Sequence, residues 1–190
     1  PLEDGTVTVS RVQSSMTFPC NFMLVAAMNP CKCGYYGDPN HECKCSEYQI
    51  NQYLSRISGP VLDRIDLHIE INPVNYDDLE NNTPSEKSAD IKKRVNKARN
   101  IQRERFSSDG IFSNAQMSSK HIAKYCALGE KENLLLKKAF EHLGLSARAY
   151  DRILKVARTI ADLDNSENIT SSHIAEAIQY RSLDKKYWKN

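Results

Sequence analysis

Polar and apolar residues alternate with period two over Thr6-Val-Thr-Val-Ser10, and Met16 to Phe18 repeats the pattern after a short polar stretch. Such alternation puts every second side chain on one face, so the two segments predict a β-hairpin with Arg11 and Gln13 at its tip. The next run, Phe22 to Met28, is apolar throughout and stops at the turn pair Asn29-Pro30. A continuous apolar run of strand length predicts a central parallel strand covered on both faces. Glu47 to Ile57 predicts a short helix that Ser58-Gly59-Pro60 breaks, and Leu67-His-Ile-Glu-Ile71 alternates again before Asn72-Pro73 ends it.

From Pro73 to Ser88 the chain turns to Asn, Asp, Glu, Pro and Ser, the composition of a linker. Beyond it the apolar positions recur at helical spacing, predicting helices over Asp90–Phe106, Lys120–Ala127, Glu130–Leu143, Ala147–Leu163 and His173–Tyr180. Gly144 is placed to cap the third of these, and Ser146 and Thr170 or Ser171 to open the last two. The pattern gives a small α/β part over 1–73, a linker over 74–89 and an all-α domain over 90–190, mainly α overall with a small sheet.

Charge narrows the partners little. Lys and Arg number 26 against 24 Asp and Glu, a net charge of +2, so affinity for a polyanion has to come from a local patch. A run of about 18 apolar residues, the minimum for a spanning helix, does not occur. The expected location is the cytoplasm, with no membrane partner.

Six cysteines in such a chain favour metal ligation or buried thiols over a disulfide framework. Cys31 and Cys33 form one Cys-x-Cys pair directly after Asn29-Pro30, and Cys43 and Cys45 form a second. Gly34, Gly37 and Pro39 allow the segment between the pairs to fold back. Four thiolates so gathered make a tetrahedral cage suited to Zn²⁺, structural in role because no position is left for water. A one-residue spacer is tighter than the usual zinc spacing, so unligated reduced thiols and, in third place, a reversible disulfide remain open. His41 can substitute for one thiol. Cys20 and Cys126 read as packing residues.

Along the helix predicted over Ala147–Leu163, Arg148, Arg152, Lys155 and Arg158 lie near one face opposite Ile153, Leu154, Ala157, Ile160 and Ala161. A solvated basic stripe accounts for this; an Arg directed at a phosphate is the sharper alternative.

Three segments taken together are distinctive: Asn29-Pro-Cys-Lys-Cys-Gly34, Ser58-Gly-Pro-Val-Leu-Asp-Arg-Ile-Asp-Leu67, and Ser146-Ala-Arg148 continuing to Ala157-Arg-Thr-Ile-Ala-Asp-Leu163. In this order the chain resembles the second half of an AAA+ ATPase module of the magnesium-chelatase-like, competence-protein ComM type, over nearly its whole length. The resemblance implies a P-loop NTPase core remnant followed by a helical lid, ATP and Mg²⁺ as cofactors of the full-length protein, and a homo-oligomeric, hexameric ring. It implies that Asn29 is the sensor 1 residue orienting the attacking water, and that Arg64 is an arginine finger reaching the ATP of the neighbouring subunit. Arg148 would be sensor 2 on the γ-phosphate of its own subunit, with its three basic neighbours left to solvent or subunit contacts. Arg11, near the hairpin tip, would touch DNA in the ring pore; an exposed Arg protecting a sheet edge is the plainer alternative.

No Gly is followed by Lys, so the G-x-x-x-x-G-K-[ST] phosphate loop is absent, and no apolar strand ending in Asp-Glu precedes the hairpin. With Pro1 in place of an initiator Met, the chain reads as an excised piece, inactive alone, with its sheet short of strands and its core partly exposed. The leading expectation is an ATP-driven motor remodelling DNA by helicase action or branch migration. A magnesium chelatase ATPase subunit is the first alternative, disfavoured by the cysteine insertion after sensor 1. A zinc-stabilised binding module without enzymatic activity is the second.

Overall fold

The computed structural model describes residue 2 and residues 4–71, 80 and 85–181, which divide into two units, Pro1–Ile65 and Asp66–Asn190. The first begins with the expected hairpin, strands β1 (Thr6–Arg11) and β2 (Ser14–Pro19). They pair antiparallel with Val7 opposite Phe18 and Val9 opposite Met16, so one face is apolar. The other face is a ladder of hydroxyls, with Thr8 and Thr17 Oγ1 atoms 2.9 Å apart and Ser10 and Ser15 Oγ atoms 3.0 Å apart.

Phe22 to Met28 does not form the covered strand that its composition predicts. It runs outside any sheet, with Met23 88% and Val25 85% exposed. A strand exists only through its ladder, and among the described residues β1 and β2 pair with each other alone, leaving this run without an edge to join. Leu67 to Ile71 departs from expectation for the same reason. It is unladdered and, His68 apart, exposed, with the His68 N–H donating to the Tyr180 carbonyl at 2.9 Å.

Two helices complete the first unit. Helix α1 (Glu47–Leu54) starts at a capping box, in which Ser46 Oγ accepts from the Gln49 N–H and Gln49 Oε1 accepts from the Ser46 N–H. The short α2 (Gly59–Asp63) was not expected: the Gly59-Pro60 break also opens a helix, since proline is tolerated in a first turn where its missing N–H has no intrahelical partner. Buried apolar positions here are few, chiefly Ile50, Leu54 and Leu62 beside Cys31.

The second unit is helical: α3 (Ser88–Arg105), a 3₁₀ turn at Asn114–Gln116, α4 (Ser119–Tyr125), α5 (Glu130–Leu143), α6 (Ala147–Leu163) and α7 (Ser171–Gln179). Gly144 ends α5 at φ +54°, a left-handed conformation glycine adopts without penalty. Ser146 Oγ caps α6 by accepting from the Ala149 N–H at 3.1 Å, and Thr170 opens α7 with His173 in a capping box. One core, running from Phe106 and Leu136 through Ile153, Ala157 and Ala161 to Ile174, closes over α6. Most of the linker expected over 74–89, and the tail from 182 onward, lies outside the described residues.

Candidate metal centre and nucleotide-sensing residues

The four cysteines of the two Cys-x-Cys pairs converge. The Sγ atoms of Cys31 and Cys33 lie 3.4 Å apart, Cys31 and Cys43 3.7 Å, and Cys33 and Cys43 3.6 Å. With Cys45 included, all four sulfurs lie within 4.8 Å of one another. Sulfurs bound at about 2.3 Å around a tetrahedral zinc have edges of about 3.8 Å, so this spacing suits a central ion, whereas a disulfide needs about 2.0 Å. Every one of the four is a free thiol.

The backbone makes the cluster possible. Gly34 and Gly37 turn at φ +88° and +83°, and the Gly34 N–H donates to the Cys31 carbonyl at 3.2 Å. Tight turns then aim amides at sulfur. The Tyr35 N–H, helped by Cys31 and the Lys44 and Cys45 groups, brings the Cys33 thiol down to about 6 against the effect of burial. At Cys43 the Cys45 N–H favours the thiolate, but burial and the sulfurs of Cys33 and Cys31 outweigh it and push the thiol up to about 12. Cys45 is raised by a similar balance: the Cys33 N–H opposes the neighbouring sulfurs of Cys33 and Cys31. Sulfurs this close cannot all ionise on their own, and a divalent cation at their centre would supply the missing charge. The donor set therefore fits a metal ion.

His41 is not one of the four. Its Nδ1 lies 3.2 Å from Asp38 Oδ2 and its ring stacks on Tyr35 with centroids 4.9 Å apart, bracing the loop between the pairs. Among the remaining cysteines, Cys126 is buried in the second unit's core and Cys20 is half-buried.

Asn29 is exposed two residues before Cys31, and its Nδ2 would lie 3.9 Å from a Cβ added at Gly34. Arg64, half-buried, caps the C-terminus of α2 and donates from Nη1 to the Pro60 carbonyl at 3.0 Å. Arg11 ends β1, exposed, opposite Ser14. Arg148 is exposed on the first turn of α6, in the second unit. The structure brings the cysteines together, with Asn29 leading into them; Arg64 and Arg11 occupy separate elements of the first unit.

The basic face of α6 is not a solvated stripe, nor are its three other cations left to solvent or subunit contacts. Arg158 is 3% exposed, donating from Nε to Asp162 Oδ1 at 3.1 Å and from Nη1 and Nη2 to the carbonyls of Glu167 and Ser166 at 2.7 and 2.6 Å. Lys155 Nζ donates to the Ala115 carbonyl at 3.0 Å, and Arg152 pairs with Asp66. Exposed Arg148 is the member of the four not drawn into such a contact among the described residues. Sequence reasoning missed the centre of this arrangement. Buried Asp162 receives Arg105 through both Nη atoms, Asn114 Nδ2 at 2.8 Å and Arg158 Nε. Only the i,i+4 spacing of Arg158 and Asp162 signalled it along the chain.

Two family models match the chain in succession, meeting at residues 79–85 rather than at the boundary between the two units. A family model described as magnesium chelatase, subunit ChlI, matches residues 1–79, and one for the C-terminal part of that subunit matches residues 85–181. This chain belongs to the magnesium chelatase ChlI family. Within it, competence protein ComM of Haemophilus influenzae is 45% identical over 184 residues, covering 96% of this chain and 35% of that protein. YifB of Escherichia coli is 43% identical over 187 residues, covering 97% of this chain and 36% of its own length. Rv2897c of Mycobacterium tuberculosis is 31% identical over 181 residues, covering 95% of this chain and 35% of that protein. It is thus a ComM-type, magnesium-chelatase-like chain, spanning about a third of the curated relatives it matches. No helix among the described residues is long and apolar enough to cross a membrane.

Proposed function

We propose that this chain is the sensor and lid portion of an AAA+ ATPase that couples ATP hydrolysis to DNA remodelling, as a helicase or branch-migration motor working as a homo-oligomeric ring in the cytoplasm. The observation that carries this reading is the 45% identity to a competence protein, sustained over 96% of the chain. Competence is a DNA-handling trait, and the similar stretch takes in nearly the whole chain.

Each residue suits its proposed task. Asn29 ends an apolar run with a side-chain amide that can hold a water by donating and accepting at once. Arg64 brings a planar guanidinium to the end of α2, where, across a subunit boundary, it can offset charge developing on the transferred phosphoryl; such fingers contribute about 10³–10⁵ in rate. Arg148 sits on the first turn of α6, where the helix dipole adds to its attraction for a phosphate. Arg152 and Arg158 are committed to Asp66 and Asp162, which leaves Arg148 as the α6 arginine for that contact.

Zn²⁺ would be held by Cys31, Cys33, Cys43 and Cys45 and would supply structure rather than catalysis, since four thiolates complete its coordination. Clamping Cys31 also fixes the position of Asn29, two residues upstream. Arg11 is proposed to meet DNA phosphates from the hairpin.

The descriptions of both matching family models favour a second reading, an ATPase subunit driving Mg²⁺ into a porphyrin. ATP hydrolysis by the full-length protein, followed with and without DNA, separates the two. DNA stimulation is expected. Hydrolysis indifferent to DNA but coupled to Mg²⁺ insertion would replace the DNA reading with the chelatase one.

A further inference from the structure

Helix α3 carries seven cations against two carboxylates, in a chain whose overall charge is only +2. Three of the seven are accounted for: Lys93 pairs with Asp90 at 2.9 Å, Arg94 with Glu86 at 2.6 Å, and Arg105 turns inward to Asp162. Lys92, Lys97, Arg99 and Arg103 are exposed, and none meets a carboxylate among the described residues.

Position on the helix sorts these four. At 3.6 residues per turn, Lys92, Asn96, Arg99, Asn100 and Arg103 fall within a sector of about 100°. Ala98 and Gln102, the buried positions of α3, lie outside that sector. The stripe contains three cations, two amides and no acid. A shallow groove of about 490 Å³ is lined by Asn96, Arg99, Asn100 and Arg103 together with Val95. Arg103 Nη1 reaches Asn100 Oδ1 at 3.4 Å, so the guanidinium is held along the stripe.

We infer that this face of α3 is a phosphate-backbone contact surface for nucleic acid, separate from the hairpin and from the nucleotide-sensing residues. Guanidinium and amide donors in one row match the donors that proteins use on phosphate and sugar oxygens. From Lys92 to Arg103 the row covers about 17 Å, a length over which one strand of a duplex carries about five phosphates. A lipid surface fits less well, because a membrane-lying helix needs a broad apolar face exposed beside the basic one, and Ile91 and Val95 are the only large apolar side chains that α3 exposes among the described residues. Only the choice of DNA as the polyanion rests on the function proposed above; the surface itself rests on charge and placement.

The test is anisotropy of a labelled 30-mer DNA duplex titrated with the full-length protein at several salt concentrations. The variant is Lys92→Gln/Arg99→Gln/Arg103→Gln. Loss of three phosphate contacts lowers the slope of log affinity on log salt by about 2.7 and weakens binding by about tenfold or more, without regard to sequence. Two variants control for general charge and folding. Arg99→Lys/Arg103→Lys should keep the slope, and Lys137→Gln/Lys138→Gln, which removes exposed cations from α5, should leave both slope and affinity unchanged. An unaltered slope in the triple variant overturns the surface while leaving DNA-stimulated hydrolysis standing. Equal losses from the α5 variant also overturn it, since charge anywhere would then serve. Loss of binding to phosphatidylserine vesicles with DNA binding intact overturns it in favour of a membrane contact.

Discussion

The two units solve the problem of holding a polar site in opposite ways. In Asp66–Asn190 a continuous apolar core surrounds α6, and a buried carboxylate, Asp162, is satisfied by two guanidiniums and an amide. Pro1–Ile65 buries few apolar side chains, exposes its longest apolar run and brings four thiols together. The first closes on its own side chains; the second, in the function proposed above, relies on an ion held by its cysteines. The difference puts the continuous apolar core in the helical unit and the proposed metal-dependent part in the segment bearing Asn29 and Arg64.

Metal removal is the sharpest way to break this contrast. Structural zinc sites in small domains hold apparent binding energies of about 10–16 kcal/mol at neutral pH, so chelation, or Cys31→Ser with Cys43→Ser, should abolish ordered structure around the cysteine loop. Hydrogen exchange should show protection lost over residues 29–46 and retained in α5 to α7. Equal loss in both units would erase the distinction.

Next comes Asp162→Ala, which leaves Arg105 and Arg158 facing each other without their carboxylate. Removing one partner of a buried pair costs about 3–5 kcal/mol, and the denaturation midpoint of the helical unit should fall accordingly while the cysteine loop keeps its metal. Replacement that leaves the midpoint unchanged would show that the network contributes nothing to the stability of the helical unit.

The smallest expected effect is on acid stability. Asp109 Oδ2 accepts from the Tyr125 hydroxyl at 2.6 Å, and this bond, with Lys124 nearby, holds its carboxyl below the usual carboxylate range. A depressed folded pKa gives stability that is present above the unfolded value of about 4 and is lost as pH falls through the folded one. Asp109→Asn should be slightly less stable at pH 7 and show a shallower fall in Tm on acidification; an identical pH profile would remove this contribution.

What could be read along the chain follows the range of the forces involved. Helices α5 and α6 end where local periodicity, Gly144 and Ser146 put them, because capping and amphipathic spacing act within a turn or two. The cysteine cluster was legible because its ligands are close in sequence. Phe22 to Met28 and Leu67 to Ile71 were misread as strands because a ladder needs partners that no local pattern specifies. Arg152 and Arg158 were assigned to solvent or subunit contacts because Asp66, and the Arg105 that shares Asp162, are brought near only by tertiary packing. Asn29, Arg64 and Arg148 were reached through resemblance to a family, on residue types that their positions make chemically apt.

The most direct measurement mixes two inactive full-length variants: Arg64→Ala, and one disabled in the phosphate-binding loop of the ATPase core. If Arg64 acts on the ATP of a neighbouring subunit, mixed rings pair an intact finger with an intact nucleotide site, and DNA-stimulated hydrolysis recovers to a fraction set by the mixing ratio. Hydrolysis that stays at the level of the separate variants in mixed rings, or an Arg64→Ala variant with undiminished activity, would contradict a shared site completed by this chain.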